Sequence, residues 1–217
     1  MIINIDKPIG WTSFDVVKKV KKITKHKKVG HGGTLDPFAS GVLIIGTESD
    51  TKKLTEITNS DKAYEAQLEL GKITNTLDSE GEIIQTKEIP DLDSGKIQSV
   101  LNKFLGKQKQ KPPMYSAKKH KGVRLYKLAR KNIEVDRDYI DIFVYKIELV
   151  DFTKRFLSFI VECSKGTYVR VLGKDIAKKL HTVGYLTSLK RTRVGDYKIS
   201  DSLSIDEFED KWKSTDH

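Results

Sequence analysis

The sequence predicts one globular domain in which strands and helices are mixed. Apolar or alternating runs that read as strands recur along the chain, from Ile3 and Ile5 to Phe156–Cys163. Between them stand stripes at helical spacing, such as Val16, Val20 and Ile23, or Val169, Leu172, Ile176 and Leu180. No repeat and no shift of composition divides the chain, and 217 residues suffice for one well-buried core plus an insertion.

Hydrophobic residues make up 37% and charged residues 32%, the balance of a globular protein with a wet surface. Forty Lys and Arg against thirty Asp and Glu leave a net charge of +10. Such an excess suits a polyanion, nucleic acid first, and equally suits a lysine-rich but ordinary surface. The lone Cys163 excludes an intrachain disulfide and a cysteine metal cluster, and reads as a buried structural thiol. MIINIDKPIG is not a signal peptide, and no apolar run approaches the ~20 residues of a membrane span. A cytoplasmic protein without membrane contact is expected.

In chain order, Ile3 and Ile5 share one face of a short strand. Thr12 and Asp15 fit a capping box that starts a helix, whose apolar side is Val16, Val17, Val20 and Ile23. Its other side is basic and includes Lys18 and Lys22, which points to contact with an RNA backbone ahead of a merely solvated face. His26 and His31 lack ligand spacing and have no carboxylate cluster nearby, so no metal site is expected. Tyr64, Ala66, Leu68 and Leu70 alternate as a strand, and Thr76 to Gly81 carries turn signals and reads as a connection. Ile97, Val100, Leu101, Phe104 and Leu105 stripe a helix after Asp93 and Ser94. A basic stretch comes next, irregular at Pro112–Pro113, with Tyr115 and Tyr126 set among cations; stacking rings and phosphate-holding cations suit RNA, and a plain basic surface fits as well. Ile140–Val150 and Phe156–Cys163 read as a hairpin joined by DFTKR. Gly166 turns the chain into a helix with Arg170 near its start, and Ser204 with Glu207 caps a last short helix.

The stretch VGHGGTLDPFASGVLIIG places Asp36 in a glycine-rich loop anchored by the apolar run Val42–Ile45. The glycines permit sharp turns and close approach to a ligand, and Pro37 stiffens the loop after Asp36. Spacing alone fits an Asp-Pro turn at least as well as a presented, functional carboxylate.

GHGGTLDPFASGVL resembles the catalytic-loop motif of the TruB family of tRNA pseudouridine synthases. Further stretches resemble that family in the same order: DKPIGWTSFDVV, DKAYEAQLELGKITNTLDSEGEI, PPMYSAKKHKGVRLYKLAR, CSKGTYVRVLGKDIAKKL and YLTSLKRTRVGDYKI. The resemblance covers about residues 1–208. It implies an α+β fold, the pseudouridine synthase fold, with a mixed and largely antiparallel central sheet flanked by helices. Residues 1–217 would be one catalytic domain with an RNA-clamping thumb over about 107–138. The C-terminal PUA domain of many members is expected to be absent.

By the same resemblance, Asp36 is the nucleophile, on either the sugar carbon or the uracil ring. Arg170 is the cation that pairs with it and keeps it ionised. Tyr64 is an active-site tyrosine set against the base and able to relay a proton. His31, Tyr168 and Leu189 join Tyr64 in binding the everted uridine. Lys118, Lys119, Arg124 and Arg130 of the thumb, with Arg191, join Lys18 and Lys22 in gripping RNA; Lys190 stands where an arginine is more usual. The reaction oxidises nothing and adds no atom, so no cofactor is expected. The implied partner is the T-arm stem-loop of tRNA, with position 55 as the target and a monomer as the enzyme. An RNA-binding tRNA-folding chaperone and a guide-RNA-dependent synthase core are the competing readings.

Overall fold

A computed structural model describes residues 1–215. β1 (Ile2–Lys7), α1 (Ser13–Thr24), β2 (Val29–Gly32), β3 (Ser40–Thr47), α2 (Leu54–Asn59) and β4 (Lys62–Leu70) come first. They are succeeded by β5 (Lys72–Thr74), β6 (Ile83–Thr86), α3 (Ser94–Asn102) and β7 (Gly106–Gln110). The basic stretch holds the short elements β8 (Lys119–His120), β9 (Val123–Arg124) and α4 (Leu125–Ala129). β10 (Ile140–Phe152), β11 (Phe156–Cys163), α5 (Val169–Lys179), β12 (Gly184–Val194), β13 (Tyr197–Lys198) and α6 (Ile205–Ser214) complete the order. The described chain forms two compact units: residues 1–65 with 189–215, and residues 66–188.

The first unit is built around β3. β1 runs antiparallel to it, with Ile2 opposite Gly46 and Lys7 opposite Gly41. β2 is also antiparallel, with His31 opposite Ile45, and the last part of β12 is parallel at Ser40 and Gly41. Alternate β3 side chains feed two cores. Leu43 and Ile45 join Ile5, Val16 and Val20 with Ile205 and Phe208 of α6, whereas Val42 and Ile44 join Leu54, Ile57 and Val194. All four β3 side chains are fully buried, and each such burial is worth about 1.5–3 kcal/mol. The strand expected to anchor the Asp36 loop is thus held by two cores. Both expected capping boxes are present, Thr12 with Asp15 on α1 and Ser204 with Glu207 on α6.

In the second unit the strand order is β12–β4–β11–β10–β7. β10 and β11 form the expected antiparallel hairpin, with register shifts after Val144 and Leu149. Ile142, Val144, Leu157, Phe159, Val161 and Cys163 are buried, and α3, carrying buried Ile97 and Leu101, packs against β10 and α5. One expected boundary moves. Residues 107–110, placed by the sequence inside the thumb, belong to β7 and pair with β10 from Ile140↔Gln110 to Val144↔Gly106. The polar string GKQKQ carries little strand signal by itself; an antiparallel partner recruits it.

Candidate active site

The loop between β2 and β3 carries Asp36, and the first unit fixes it on both sides of that residue. Before it, the Ser13 hydroxyl donates to the Leu35 carbonyl at 3.0 Å and accepts from the Leu35 N–H at 2.9 Å. After it, the Pro37 carbonyl accepts from the Gly10 N–H at 2.8 Å and from Lys7 Nζ at 3.4 Å. Lys7 is fully buried, and its ammonium also donates to the carbonyls of Pro8 and Trp11. The Asp36 carbonyl accepts from the Ala39 N–H at 3.1 Å, closing a turn. Asp36 itself is half-buried.

Arg191 corrects the sequence reading. Expected to grip RNA, it is only 2% exposed. Its Nε donates to the Val42 carbonyl at 2.7 Å, and its Nη atoms donate to Gly33 and Thr34 at 3.1 and 3.4 Å. A planar fork suits several carbonyls converging from one loop, which an ammonium could not match. The strands close tightly here: a Cβ on Gly41, whose φ is +105°, would lie 2.2 Å from the Arg191 carbonyl oxygen. Glycine is therefore required by both conformation and space.

Tyr64 on β4 and Leu189 on β12, both buried, belong to the same unit. His31, half-buried on β2, lines an open cleft of about 530 Å³ with Lys28, Lys52, Thr58 and Asn59. Lys18 and Lys22 are exposed on α1; the Lys18 ammonium lies 4.9 Å from the centre of the exposed Phe14 ring and 3.7 Å from Asp15.

In the second unit, Tyr168 and Arg170 sit at the strand-to-helix joint that opens α5. Gln110 of β7 fixes Tyr168 through both backbone groups: the Tyr168 N–H donates to Oε1 at 2.8 Å, and Nε2 donates to the Tyr168 carbonyl at 3.1 Å. The Arg170 guanidinium is buried. It donates to the carbonyls of Thr76 at 2.6 Å and Tyr115 at 2.8 Å, and Nη1 lies 3.2 Å from Asp78 Oδ2. Asp78 is buried in turn. Its Oδ1 accepts from the Thr76 hydroxyl at 2.6 Å and from the Glu80 N–H at 3.1 Å. Arg170 thereby ties α5 to the β5–β6 turn and to the start of the thumb.

Lys118, Lys119, Arg124 and Arg130 are all exposed, and the Arg130 guanidinium lies 5.6 Å from the centre of the Tyr126 ring. Sequence reasoning misses Ser13, Lys7, Gln110 and Asp78 as supports, and it places Asp78 in a mere connection. The one local signal is the pair of threonines before Asp78, able to bond a buried carboxylate and its backbone. Among the described residues no three His, Cys, Asp or Glu side chains are grouped to hold a metal ion. Nor is any of their helices long and apolar enough to cross a membrane.

Comparison with known proteins gives a consistent result. Residues 21–169 match the model of the TruB family pseudouridylate synthase, N-terminal domain. The chain is 44% identical over 210 residues to tRNA pseudouridine synthase B of Clostridium tetani, covering 97% of this chain and 73% of that protein. It is 44% identical over 216 residues to the protein of the same name from Ureaplasma urealyticum, covering 98% of this chain and 94% of that one. Among solved structures it is similar to a chain of a Cbf5–Nop10–Gar1 complex, with a TM-score of 0.78 and 30% identity over 99% of this chain. A chain of an H/ACA RNP bound to a substrate RNA containing 2'-deoxyuridine gives a TM-score of 0.74 and 27% identity. In both cases the match spans 56% of the solved chain.

Proposed function

Because the chain belongs to the TruB family of pseudouridylate synthases, we propose that its target is the T-loop uridine at position 55 of tRNA, attacked by Asp36. The reaction class comes from the family: the protein is an isomerase that converts uridine to pseudouridine in tRNA. Its fold is that of the pseudouridine synthases.

The reaction breaks an N–C glycosidic bond and forms a C–C bond to the same sugar. It needs an ionised nucleophile held still and a site that keeps the detached uracil from leaving. The observation that carries the reading is the mount around Asp36. Ser13, Lys7, Gly10 and Arg191 fix the loop backbone before and after it. A loop so held sets the position of the Asp36 Cα and the direction of its Cβ before substrate arrives, which lowers the entropy lost on reaching the transition state.

The remaining roles complete the proposal. Arg170 keeps Asp36 ionised, Tyr64 packs against the base, and His31, Tyr168 and Leu189 offset the few kcal/mol of flipping the uridine out of its stack. Lys18, Lys22 and the thumb cations Lys118, Lys119, Arg124 and Arg130 hold the phosphates of the T-arm. The protein works as a cytoplasmic monomer on the T-arm alone.

The test is incubation with an unmodified tRNA transcript and mapping of pseudouridine. Wild-type protein should convert one T-loop uridine without added partners. Asp36→Asn should yield no product while still binding the transcript. Product from Asp36→Asn would remove the nucleophile assignment. The likeness to the Cbf5 chains favours a second reading, a core that works within a guide ribonucleoprotein. Conversion only on adding a guide complex would establish it in place of the first.

A further inference from the structure

The second unit contains a cavity of about 540 Å³ bounded by the end of α3, by β7 and by the last turns of α5. Its floor is apolar, made of the buried side chains Phe104, Ile142 and Leu172. Its rim carries the ammonium groups of Lys103, Lys178 and Lys179, with His181 just beyond α5. Lys109 alternates with Gln108 and Gln110 along β7, so its side chain leaves the other face of the sheet, beside Asp141. None of the proposed catalytic or RNA-gripping residues lines it.

The lysines are poorly compensated. Among the described residues none of the three forms an ion pair within 4.0 Å, although Lys174 on α5 meets Asp175 at 3.5 Å. Asp175 is the one carboxylate in the lining. Lys174 holds it at 3.5 Å and Lys178 also acts on it electrostatically, while burial pushes its pKa up. The carbonyl ends of α3 and α5 also draw cations, but each carries only about half a negative charge. With Lys174 counted beside the three rim lysines, four ammonium groups exceed what those ends and Asp175 can neutralise. His181, two residues past the end of α5, takes the left-handed φ of +63° with which helices commonly end.

We infer that this cavity is a second anion site that takes the phosphate of a nucleotide, with the base or sugar lying on the apolar floor. Its volume lies in the range of about 300–1,000 Å³ that holds small ligands. The two amide side chains, the groups of the lining that can bond a base edge in two places, are already engaged. Gln110 is bonded to the backbone of Tyr168, and Gln108 donates to the carbonyls of Lys103 and Leu105. Recognition is therefore of phosphate and ring, without preference for one base. The nucleotide is either free in solution or part of the bound RNA. Through Gln110 and Tyr168 the site adjoins the joint that carries Arg170.

The test uses the full chain, uridine monophosphate and a T-arm stem-loop RNA, with titration calorimetry at several salt concentrations. Lys103→Gln/Lys178→Gln is compared with the charge-matched control Lys198→Gln/Lys211→Gln, with melting curves to establish that both fold. A free nucleotide as occupant predicts that the wild type and the control bind uridine monophosphate, whereas the pocket variant binds at least tenfold more weakly. An RNA nucleotide as occupant predicts that the pocket variant loses about 1 unit of salt slope per lysine beyond the control. Both changes together support both sources. If the pocket variant and the control are indistinguishable with both ligands, the inference is overturned. No readout depends on pseudouridine formation, so failure of the target assignment and failure of this site remain separable.

Discussion

Arg191 is a buried charge whose hydrogen bonds, among the described residues, go to carbonyl oxygens alone. Arg191→Lys would keep the charge and lose the fork, leaving one or two of those carbonyls unmet inside the loop. At about 1–3 kcal/mol for each stranded group, the variant should lose about 2–4 kcal/mol, read as a lower urea midpoint at an unchanged slope. An unmoved midpoint would mean that other donors take over those carbonyls. Asp78→Ala should be as damaging, by about 3–5 kcal/mol, the usual cost of removing one partner of a buried pair. The two residues also mark where sequence reasoning stops. Both sit in stretches singled out by their chemistry, yet whether a charge meets solvent or protein depends on partners far away in the chain. Arg170 and Asp78 are joined across most of the second unit's sequence, and no local pattern encodes that meeting.

At the scale of the element, legibility tracks locality. The capping boxes of α1 and α6, the buried β3 and the β10–β11 hairpin rest on near neighbours or on strong periodicity, and they form as the sequence indicates. β7 has neither, and the sequence assigns its residues to the thumb. α6 also carries a pH response. The Glu209 pKa is lowered to about 2 by hydrogen bonds from Lys19 first and Lys213 second. That of Glu207 is lowered by its bonds to the Ser204 backbone and hydroxyl. Folded-state values below the unfolded value near 4.5 mean stabilisation that is complete above that pH. It is lost as pH falls from there toward 2. Urea titrations should therefore give a midpoint insensitive to these groups between pH 7 and 5 that drops below 4.5. Glu209→Gln should flatten part of that drop. Trp212, packed beside Phe208 at 6.1 Å between ring centres, reports on α6 in a Trp11→Phe background. An identical acid limb in wild type and Glu209→Gln would assign the lability elsewhere.

For the whole molecule the governing quantity is the +10 charge and where it is exposed. Composition alone leaves RNA contact and a plain wet surface equally open, because it counts charges without placing them. Their placement separates them into classes. Lys7 and Arg191 are buried and serve the Asp36 loop; Lys19 and Lys213 are paired with Glu209. Lys118, Lys119, Arg124 and Arg130 face solvent and have no ion pair among the described residues. Cations of the last kind take up RNA phosphates, releasing counterions, without first giving up an ion-pair partner. Neutralising these four to Gln should lower affinity for a T-arm stem-loop and make its dependence on log salt shallower by about 1 unit for each phosphate no longer held. The melting temperature should hardly move, since exposed side chains without ion pairs contribute little to folding. Lys19→Gln, which removes the same charge from a pair, should leave the salt slope nearly unchanged while lowering stability at neutral pH. A slope that fell equally for both would mean that net charge, and not the arrangement of the thumb, sets the affinity for RNA.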